Sequence, residues 1–369
     1  MANAPTPAEA DRLGRSILRY ALHVKPKERV TIETYPSSLP WAAGFVREAR
    51  RAGAYPMIHY EDEAAYWAAA EHGQAGIVGT LADHEKAALE SSDVYVYFWG
   101  PEDIARRNRL SSKGQEAIFA FNPQWYRAAK KAGLRGARMG IARAIESNAE
   151  LFGVPLAPWR AQLFNASLTD PAKFAPTVRK LKNHLGRRGE VRLTHPNGTD
   201  LTLALAGRDV VEDSGILPPR REWGNFRMMV NVPGGSAYVA VDESTAEGTV
   251  VANRTTSAQG PILQGGRWTF KNGRLASHRY RIGDAAFNAI YRDATGAKSR
   301  PSFLEVGINP ALNNAPLLEE NEFGAVTVGI GNNRGFGGKN RSSLFQFLTL
   351  GGANLTIDGK PAVRSGRVV

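Results

Sequence analysis

The first half of the chain alternates between segments with the periodicity of helices and segments with that of strands. Residues Ala8–Leu22 carry apolar side chains four positions apart, as an amphipathic helix does. Val94–Phe98 is a continuous apolar run, which is typical of a strand buried on both faces. Strands that alternate with helices favour a parallel sheet covered by helices. We therefore predict an α/β domain with a mostly parallel sheet at the start of the chain.

The pattern changes near residue 185. Glu190–His195 and Asp200–Leu205 both resemble strands, and Asn197-Gly198 lies between them. An Asn-Gly pair between two alternating segments is a strong signal for a β-hairpin. The rest of the chain is rich in glycine and in short strand-like segments. The sequence thus predicts two domains: an α/β domain over residues 1–185 and a mixed α+β, strand-rich domain over residues 186–369.

Composition excludes several kinds of site. The 369 residues include no cysteine, so disulfides, thiolate metal ligands and cysteine nucleophiles are excluded. No apolar run approaches the roughly 20 residues that a membrane-spanning helix needs. The first residues also lack the apolar core of a signal peptide. We therefore expect a soluble, cytoplasmic protein with no membrane partner.

The chain is basic, with a formal net charge of +12. Its lysines and arginines are spread along the sequence, without zinc-finger spacing, an RNP motif or a basic helix interleaved with aromatic residues. A nucleic-acid partner is therefore not expected, whereas an anionic substrate stays open. The sequence also has no Gly-x-Gly-x-x-Gly after a strand, no Walker loop and no Gly-x-Ser-x-Gly elbow. Nucleotide sites of those kinds and a serine nucleophile are not favoured.

Several short segments, taken in order, resemble the M29 (thermophilic) aminopeptidases. Their order and spacing carry the resemblance, which extends over nearly the whole chain. The segments are Tyr20–Pro26, Ala52–Ala54, Gly198–Thr202, Asn231–Gly235, Glu247–Val250, Leu304–Pro310 and Glu319–Thr327. The resemblance implies an M29 aminopeptidase-like fold with its active-site region in the second domain. It also implies a homodimer, because members of that family form dimers.

The resemblance further implies where metals would bind. The family holds two divalent metals with carboxylate and imidazole side chains, and the metals activate water and polarise a peptide carbonyl. The ligand positions fall on Ser236, Glu305, Thr327, Phe345 and Phe347. Only Glu305 is a good ligand, because phenylalanine binds no metal and hydroxyls bind zinc or cobalt poorly. We therefore predict a degenerate metal site and no cofactor; the alternative is a genuine aminopeptidase that uses Zn, Co or Mn.

A related branch of the fold holds one iron and cleaves a dihydroxylated pyridine ring with oxygen. That chemistry also needs histidine and carboxylate ligands on the same strands. The substitutions that remove the two-metal site therefore argue against this activity as well.

Glu305 and Arg334 are the candidate catalytic residues. Glu305 is the carboxylate that survives at the ligand positions, and a carboxylate can act as a general base or anchor a substrate. Arg334 occupies the position that the resemblance assigns to a catalytic tyrosine. The alternative is structural, with Glu305 paired to Arg334 or Arg341 where a metal once sat.

The glycine-rich, basic segment of residues 331–343 is a candidate for binding an anion. Its backbone N–H groups, together with Arg334, Lys339 and Arg341, could hold a carboxylate or another anion. The alternative is a flexible loop over the site. Ser236 and Thr327 complete the candidate substrate-binding residues, since both stand at vacated ligand positions.

Three functions follow from these observations. The first is a metal-independent hydrolase, or a protein that binds a small anionic substrate, near Glu305. The second is a genuine metal-dependent aminopeptidase. The third is a non-catalytic structural or interaction subunit in which Phe345 and Phe347 fill the vacated site. A small molecule or a peptide-like compound is the expected ligand in the first two cases.

Overall fold

Helices are concentrated in the first half of the computed structural model and strands in the second half. The structure describes residues 4–223, 227–255 and 261–369. Its α-helices are α1 (Pro7–Ser16), α2 (Leu39–Arg51), α3 (Glu63–Ala69), α4 (Ala75–Val78), α5 (Asp83–Glu90), α6 (Ser112–Phe119), α7 (Phe121–Ala132), α8 (Glu146–Phe152), α9 (Leu156–Ser167), α10 (Ala175–Leu185) and α11 (Asp284–Asp293). Short 3-10 turns cover Ile104–Arg109, Gly140–Arg143, Pro171–Lys173, Arg220–Glu222, Glu319–Asn321 and Arg334–Phe336, and π-helical turns cover Ile17–Ala21 and Ala70–Gln74.

The strands form three sheets. They are β1 (Arg29–Thr34), β2 (Tyr55–Tyr60), β3 (Val94–Phe98), β4 (Arg135–Met139), β5 (Arg188–His195), β6 (Thr199–Ala206), β7 (Val211–Asp213), β8 (Met229–Val232), β9 (Ser236–Ala240), β10 (Glu247–Val251), β11 (Arg267–Lys271), β12 (Arg274–Arg279), β13 (Pro301–Gly307), β14 (Val326–Gly331), β15 (Phe345–Leu350), β16 (Asn354–Ile357), β17 (Lys360–Arg364) and β18 (Arg367–Val368).

One compact unit comprises Met1–Leu168 and Gly215–Gly234. Its sheet has the order β2-β1-β3-β4-β8, and every neighbouring pair is parallel. Successive side chains of a strand point to opposite faces. Phe98 of β3 accordingly packs against Phe45 of α2, whereas Tyr95 of the same strand packs against Trp125 of α7. Helices thus cover both faces, which confirms the predicted parallel α/β architecture.

The other compact unit comprises Thr169–Ser214 and Gly235–Val369. It contains an eight-stranded sheet, β12-β11-β10-β6-β5-β16-β17-β18, and a five-stranded sheet, β15-β14-β13-β9-β7, both antiparallel. Side chains from both sheets share one apolar core, in which Leu203 and Trp268 lie with Leu304 and Val328. Leu181 of α10 joins the same core. This arrangement confirms the predicted mixed, strand-rich α+β fold.

The predicted hairpin is present. β5 pairs with β6 in antiparallel register, and His195 lies opposite Thr199. Gly198 has φ +94°, a conformation that glycine adopts without steric strain. The Asn197 side chain accepts a hydrogen bond from the Thr199 N–H at 3.2 Å, which closes the turn.

The chain passes between the two units more than once. The segment Gly215–Gly234, which follows the predicted boundary at residue 185, contributes β8 to the parallel sheet of the first unit. Helix α10, which precedes that boundary, packs in the core of the second unit. The division of the chain into two domains at residue 185 stays a prediction. No helix among the described residues is long and apolar enough to cross a membrane.

Candidate functional site

Glu305 lies at the centre of the five-stranded sheet, on β13. It is paired with Tyr238 of β9 on one side and with Thr327 of β14 on the other. Directly paired residues project from the same face of a sheet. The flanking residues Leu304 and Val306 project from the opposite face and lie in the apolar core. Strand alternation therefore separates a core face from a second face, called here the site face, which carries Glu305.

Other predicted residues share the site face. Ser236 is two positions from Tyr238 on β9, so both side chains point the same way. Ser236 also lies opposite Gly307 and Asp213 in the register of the sheet. The sheet therefore brings Ser236, Glu305 and Thr327 together, although the chain separates them widely.

The Glu305 side chain is buried, with a residue exposure of 9%. Burial raises the pKa of its carboxyl to about 8, and the nearby carboxylates of Glu320 and Asp213 act in the same direction. A hydrogen bond with Ser236 partly opposes the increase in pKa. Since it is buried beside other carboxylates and forms no ion pair with a described residue, this carboxyl binds its proton far more tightly than an ordinary glutamate does.

Two further glutamates follow on the 3-10 turn Glu319–Asn321. Burial raises the pKa of Glu320 to about 7, and Asp213 adds to that increase. Burial also raises the pKa of Glu319, with Glu320 as a second cause. We call Asp213, Glu305 and Glu320 the acidic group. Its members repel one another whenever they are ionised, so the group favours either protons or a cation.

Thr327 is fully buried and already has a partner. Its hydroxyl lies 2.9 Å from the hydroxyl of Thr349 on β15, and either can be the donor. Threonine pairs across strands form such hydrogen bonds as part of the stability of a sheet. The hydroxyl at this position therefore binds within the sheet, and the structure gives it no contact with Glu305.

Five aromatic side chains form a contiguous group on and beside the site face. Phe303 stacks on Phe345 with ring centroids 5.5 Å apart, and it meets Phe347 at 6.2 Å. Phe336 contacts Phe303 at 5.6 Å and Tyr238 at 5.2 Å. We call these five residues the aromatic cluster. Two positions that the resemblance assigns to metal ligands, those of Phe345 and Phe347, are thus occupied by rings that pack on each other.

A glycine makes room for this cluster. A Cβ atom at Gly329 on β14 would lie 2.1 Å from the ring of Phe303. No real Cβ atom tolerates that separation, so Phe303 can lie across β14 only because residue 329 is glycine. The Phe303 ring can therefore reach across β14 and contact Phe345 and Phe347 of β15.

The glycine-rich segment is anchored by an internal carboxylate. The backbone N–H of Lys339 donates to Glu243 at 2.7 Å, and the Asn333 side chain donates to the same oxygen at 3.0 Å. Arg208 binds Glu243 through two bonds of 2.7 Å. Burial alone would raise the pKa of Glu243, but these donors outweigh it and lower the pKa to about 2. The N–H group predicted to bind an external anion thus already binds one from the protein.

The basic side chains of this segment lie away from Glu305. Arg334, Lys339 and Arg341 are all exposed. Thr327 pairs with Glu305, and β14 continues for four residues beyond Thr327, or roughly 13 Å. Arg334 comes only after that end of the strand. In the described part of the chain no ion pair joins Glu305 to an arginine. The predicted Glu305–Arg334 or Glu305–Arg341 pair is therefore not formed.

The charges near Glu305 also bear on its ligand. The groups that shift its pKa are carboxylates and a serine hydroxyl. An anion would be repelled there, so the predicted anionic substrate has no cationic partner at Glu305. The sequence prediction placed Arg334 beside Glu305 and overlooked Asp213. Asp213 joins the site only through two successive strand pairings, β7 with β9 and β9 with β13.

The donor set does not fit the two metals that the resemblance implies. The described residues, 4–223, 227–255 and 261–369, contain no group of three or more His, Cys, Asp or Glu side chains arranged to hold a metal ion. Ser236 is hydrogen-bonded to Glu305, Thr327 is bonded to Thr349, and Phe345 and Phe347 lie in the aromatic cluster. Of the five ligand positions, only that of Glu305 therefore carries a carboxyl group.

Comparison with known proteins identifies the fold. Residues 172–301 match the sequence family described as thermophilic metalloprotease (M29), a segment that includes Ser236 but ends before Glu305. Wild-type AmpT from Thermus thermophilus has a similar structure, with a TM-score of 0.74 and 18% identity, over 98% of this chain and 99% of that one. The 2,5-dihydroxypyridine dioxygenase from Pseudomonas putida KT2440 is also similar, with a TM-score of 0.62 and 15% identity, over 99% and 98%. No curated protein matches by sequence. Residues 172–301 therefore match the M29 family by sequence, and the chain as a whole has an M29 aminopeptidase-like fold.

Proposed function

We propose that this M29 aminopeptidase-like protein does not work through two metals and instead binds a small, peptide-like molecule at Glu305, where it carries out metal-independent hydrolysis. One observation carries the proposal: the site face retains a buried carboxyl and a serine at its centre, while two other ligand positions are occupied by packed aromatic rings and the third by a threonine bonded to Thr349. Such a face can hold an organic ligand, but it offers few atoms that bind a metal.

The ligand is amphipathic in this proposal. Glu305, Ser236 and the acidic group offer hydrogen-bond acceptors at one end of the site face. The aromatic cluster offers an apolar surface at the other end, where Tyr238, Phe336 and Phe347 remain partly exposed. Sites for small molecules commonly combine apolar walls with a few placed polar groups. An uncharged or cationic hydrogen-bond donor joined to an apolar group suits this face better than the anion that the sequence predicted.

Glu305 provides the acid–base chemistry. In its ionised form it accepts a proton from water as the water oxygen attacks the substrate carbonyl. The same proton then passes to the leaving nitrogen as the carbon–nitrogen bond breaks, so the enzyme ends in its starting state. Ser236 holds the carboxyl in place through its hydrogen bond and acts here as a positioning residue.

A screen of aminoacyl amides and short peptides tests this proposal. We expect hydrolysis that persists in the presence of a chelator and falls at least 100-fold in Glu305→Gln. The matched control is Glu190→Gln, which changes an exposed glutamate of the same unit. Hydrolysis that disappears with the chelator and returns with zinc, cobalt or manganese would support a genuine aminopeptidase instead. Glu305→Gln with unchanged activity would refute the proposed role of Glu305.

A non-catalytic function is the second candidate, and the aromatic cluster favours it. The rings of Phe303, Phe336, Phe345 and Phe347 contact one another in sequence, as side chains of a core do. In that case the chain binds its partner or ligand without turnover. Saturation binding by a screened compound, with no product formed, would favour this function. From the family resemblance alone we also propose a homodimer, which light scattering on the purified chain tests. From the sequence we propose that the protein is cytoplasmic.

A further inference from the structure

A second group of polar side chains lies far from Glu305 along the chain, at the carboxyl ends of the parallel strands of the first unit. His59 of β2, Glu33 of β1 and Tyr97 of β3 lie side by side in the register of the sheet. Their side chains therefore project from one face. Tyr35 and Glu61 follow the last residues of β1 and β2, and their interactions with Glu33 place them near the same group. Neither the fold comparison nor the proposed function uses these residues.

The position of this group within the sheet is itself informative. The strand order β2-β1-β3-β4-β8 means that the chain leaves β1 first toward β2 and later returns to β3 on the other side of β1. In open α/β sheets, ligands bind outside the carboxyl ends of the strands, where the strand order reverses. Glu33 on β1 and Tyr97 on β3 flank that point.

The Tyr35 hydroxyl provides an independent indication of a ligand. Tyr35 is buried, with an exposure of 4%. Its backbone N–H donates to Ser38, but no hydrogen bond from or to its hydroxyl is found in the described chain. The groups whose charges reach this hydroxyl are Tyr97, Glu33, Tyr66 and Glu61, so it is directed toward the same group of side chains. Because Tyr35 is buried as a residue and its hydroxyl has no partner within the described chain, water or a ligand can bond to that hydroxyl.

Among the described residues, no lysine or arginine forms an ion pair with Glu33 or Glu61. Glu33 accepts a hydrogen bond of 2.6 Å from the Tyr95 hydroxyl, and the structure gives Glu61 no hydrogen-bond donor. Burial raises the pKa of Glu33 to about 7, and Glu85 of α5 acts in the same direction. Burial, Glu33, Glu85 and Asp62 all raise the pKa of Glu61, and only His59 lowers it. The titratable groups that face the site from β1, β2, β3, α3 and α5 are thus acidic or phenolic, apart from His59.

We propose that Glu33, Glu61 and Tyr35 form a binding site for an organic ammonium ion, bounded by the tyrosines of β3 and α3. A primary ammonium has three N–H donors, and two carboxylates with one hydroxyl provide three acceptors. Tyrosine rings also attract cations through their faces. A metal ion fits less well, because the described residues contain no group of three or more His, Asp or Glu side chains arranged to hold one.

Calorimetric titration of the full chain with n-butylammonium tests the site. Tetramethylammonium, which has no N–H donors, and n-butanol, which has no charge, are the matched probes. We expect n-butylammonium to bind at least tenfold more tightly than either of them. We also expect affinity to rise up to tenfold from pH 6 to pH 7, because Glu33 must lose its proton before it can bind a cation. Binding at pH 6 should correspondingly release protons to the buffer.

Variants locate the bound ion. Glu33→Gln and Tyr35→Phe should each weaken n-butylammonium binding at least tenfold, and Glu33→Gln should reduce the dependence on pH to the part that Glu61 contributes. Glu150→Gln, on the exposed surface of α8, is the control and should bind as the parent chain does. Circular dichroism confirms that each variant is folded. The proposal is overturned if the parent chain binds no n-butylammonium at millimolar concentration, if Glu33→Gln binds it unchanged, or if Glu305→Gln abolishes binding.

Discussion

Replacing Glu305 with glutamine should make the protein more stable at high pH, although it removes a residue at the centre of the site. In the folded chain the pKa of Glu305 is raised from 4.5 to about 8, because the side chain is buried near Glu320 and Asp213. Glutamine has a similar shape and can still bond Ser236, but it never ionises. The variant therefore removes one titration while preserving most of the packing.

The sign of the effect follows from proton binding. Between about pH 4.5 and pH 8 the folded state holds the Glu305 proton and the unfolded state does not, so the free energy of unfolding falls as pH rises. One pKa unit corresponds to about 1.4 kcal/mol, so the full shift corresponds to roughly 5 kcal/mol. Coupling to Glu320 divides part of that energy between the two groups. We therefore expect Glu305→Gln to equal the parent near pH 5 and to exceed it by roughly 2–5 kcal/mol near pH 8.5.

Urea denaturation followed by far-ultraviolet circular dichroism, at several values between pH 5 and pH 8.5, measures this difference. Glu190→Gln is the control and should follow the pH profile of the parent chain. Glu33 also titrates in this range, but it contributes equally to the parent and to both variants. Parallel profiles for Glu305→Gln and the parent would refute the raised pKa, and with it the description of Glu305 as an uncompensated buried carboxyl.

Three further changes test the packing around the site. Glu243→Gln should destabilise the chain by about 1.5–3 kcal/mol near neutral pH, because it weakens the hydrogen bonds to Arg208, Asn333 and the Lys339 N–H. Since the pKa of Glu243 is about 2, the parent should lose this stability as pH falls from about 4.5 toward 2. Limited proteolysis should cut the glycine-rich segment of the variant sooner than that of the parent. Gly329→Ala should cost roughly 1–3 kcal/mol, since its Cβ would overlap the ring of Phe303, and a weakened near-ultraviolet dichroism signal should accompany the loss. Thr327→Val should lower the free energy of unfolding by about 1–3 kcal/mol, because it leaves Thr349 unpaired. The double variant Thr327→Val, Thr349→Val should recover most of that loss. A double variant less stable than either single variant would contradict the hydrogen bond between the two threonines.

The fold could largely be predicted from periodicity and turn residues. The apolar run Val94–Phe98 is a central strand, Gly53 follows α2 in a left-handed conformation, and Asn197-Gly198 closes a hairpin. These features depend on residues close together in the chain. Strand β8 could not be predicted in the same way, because it joins the first sheet from beyond residue 215, and pairing of distant strands leaves no local pattern.

The site was predictable only in part, for the same reason. Ser236, Glu305 and Thr327 were identified individually, and the sheet brings them together. The alternative in which Glu305 pairs with Arg334 or Arg341 is not formed, because the register places Thr327, and not the residues after β14, beside Glu305. The tyrosine and the two additional phenylalanines of the aromatic cluster were not recognised, since each belongs to a different strand or turn.

The metal content of the chain tests the central claim most directly. The protein should be purified without chelators or affinity tags and analysed by elemental mass spectrometry, before and after addition of zinc, cobalt, manganese and iron. The arrangement of Ser236, Glu305, Thr327, Phe345 and Phe347 predicts well under one equivalent of any metal per chain in every sample. Two tightly bound equivalents per chain would contradict it and would restore the two-metal mechanism of the family.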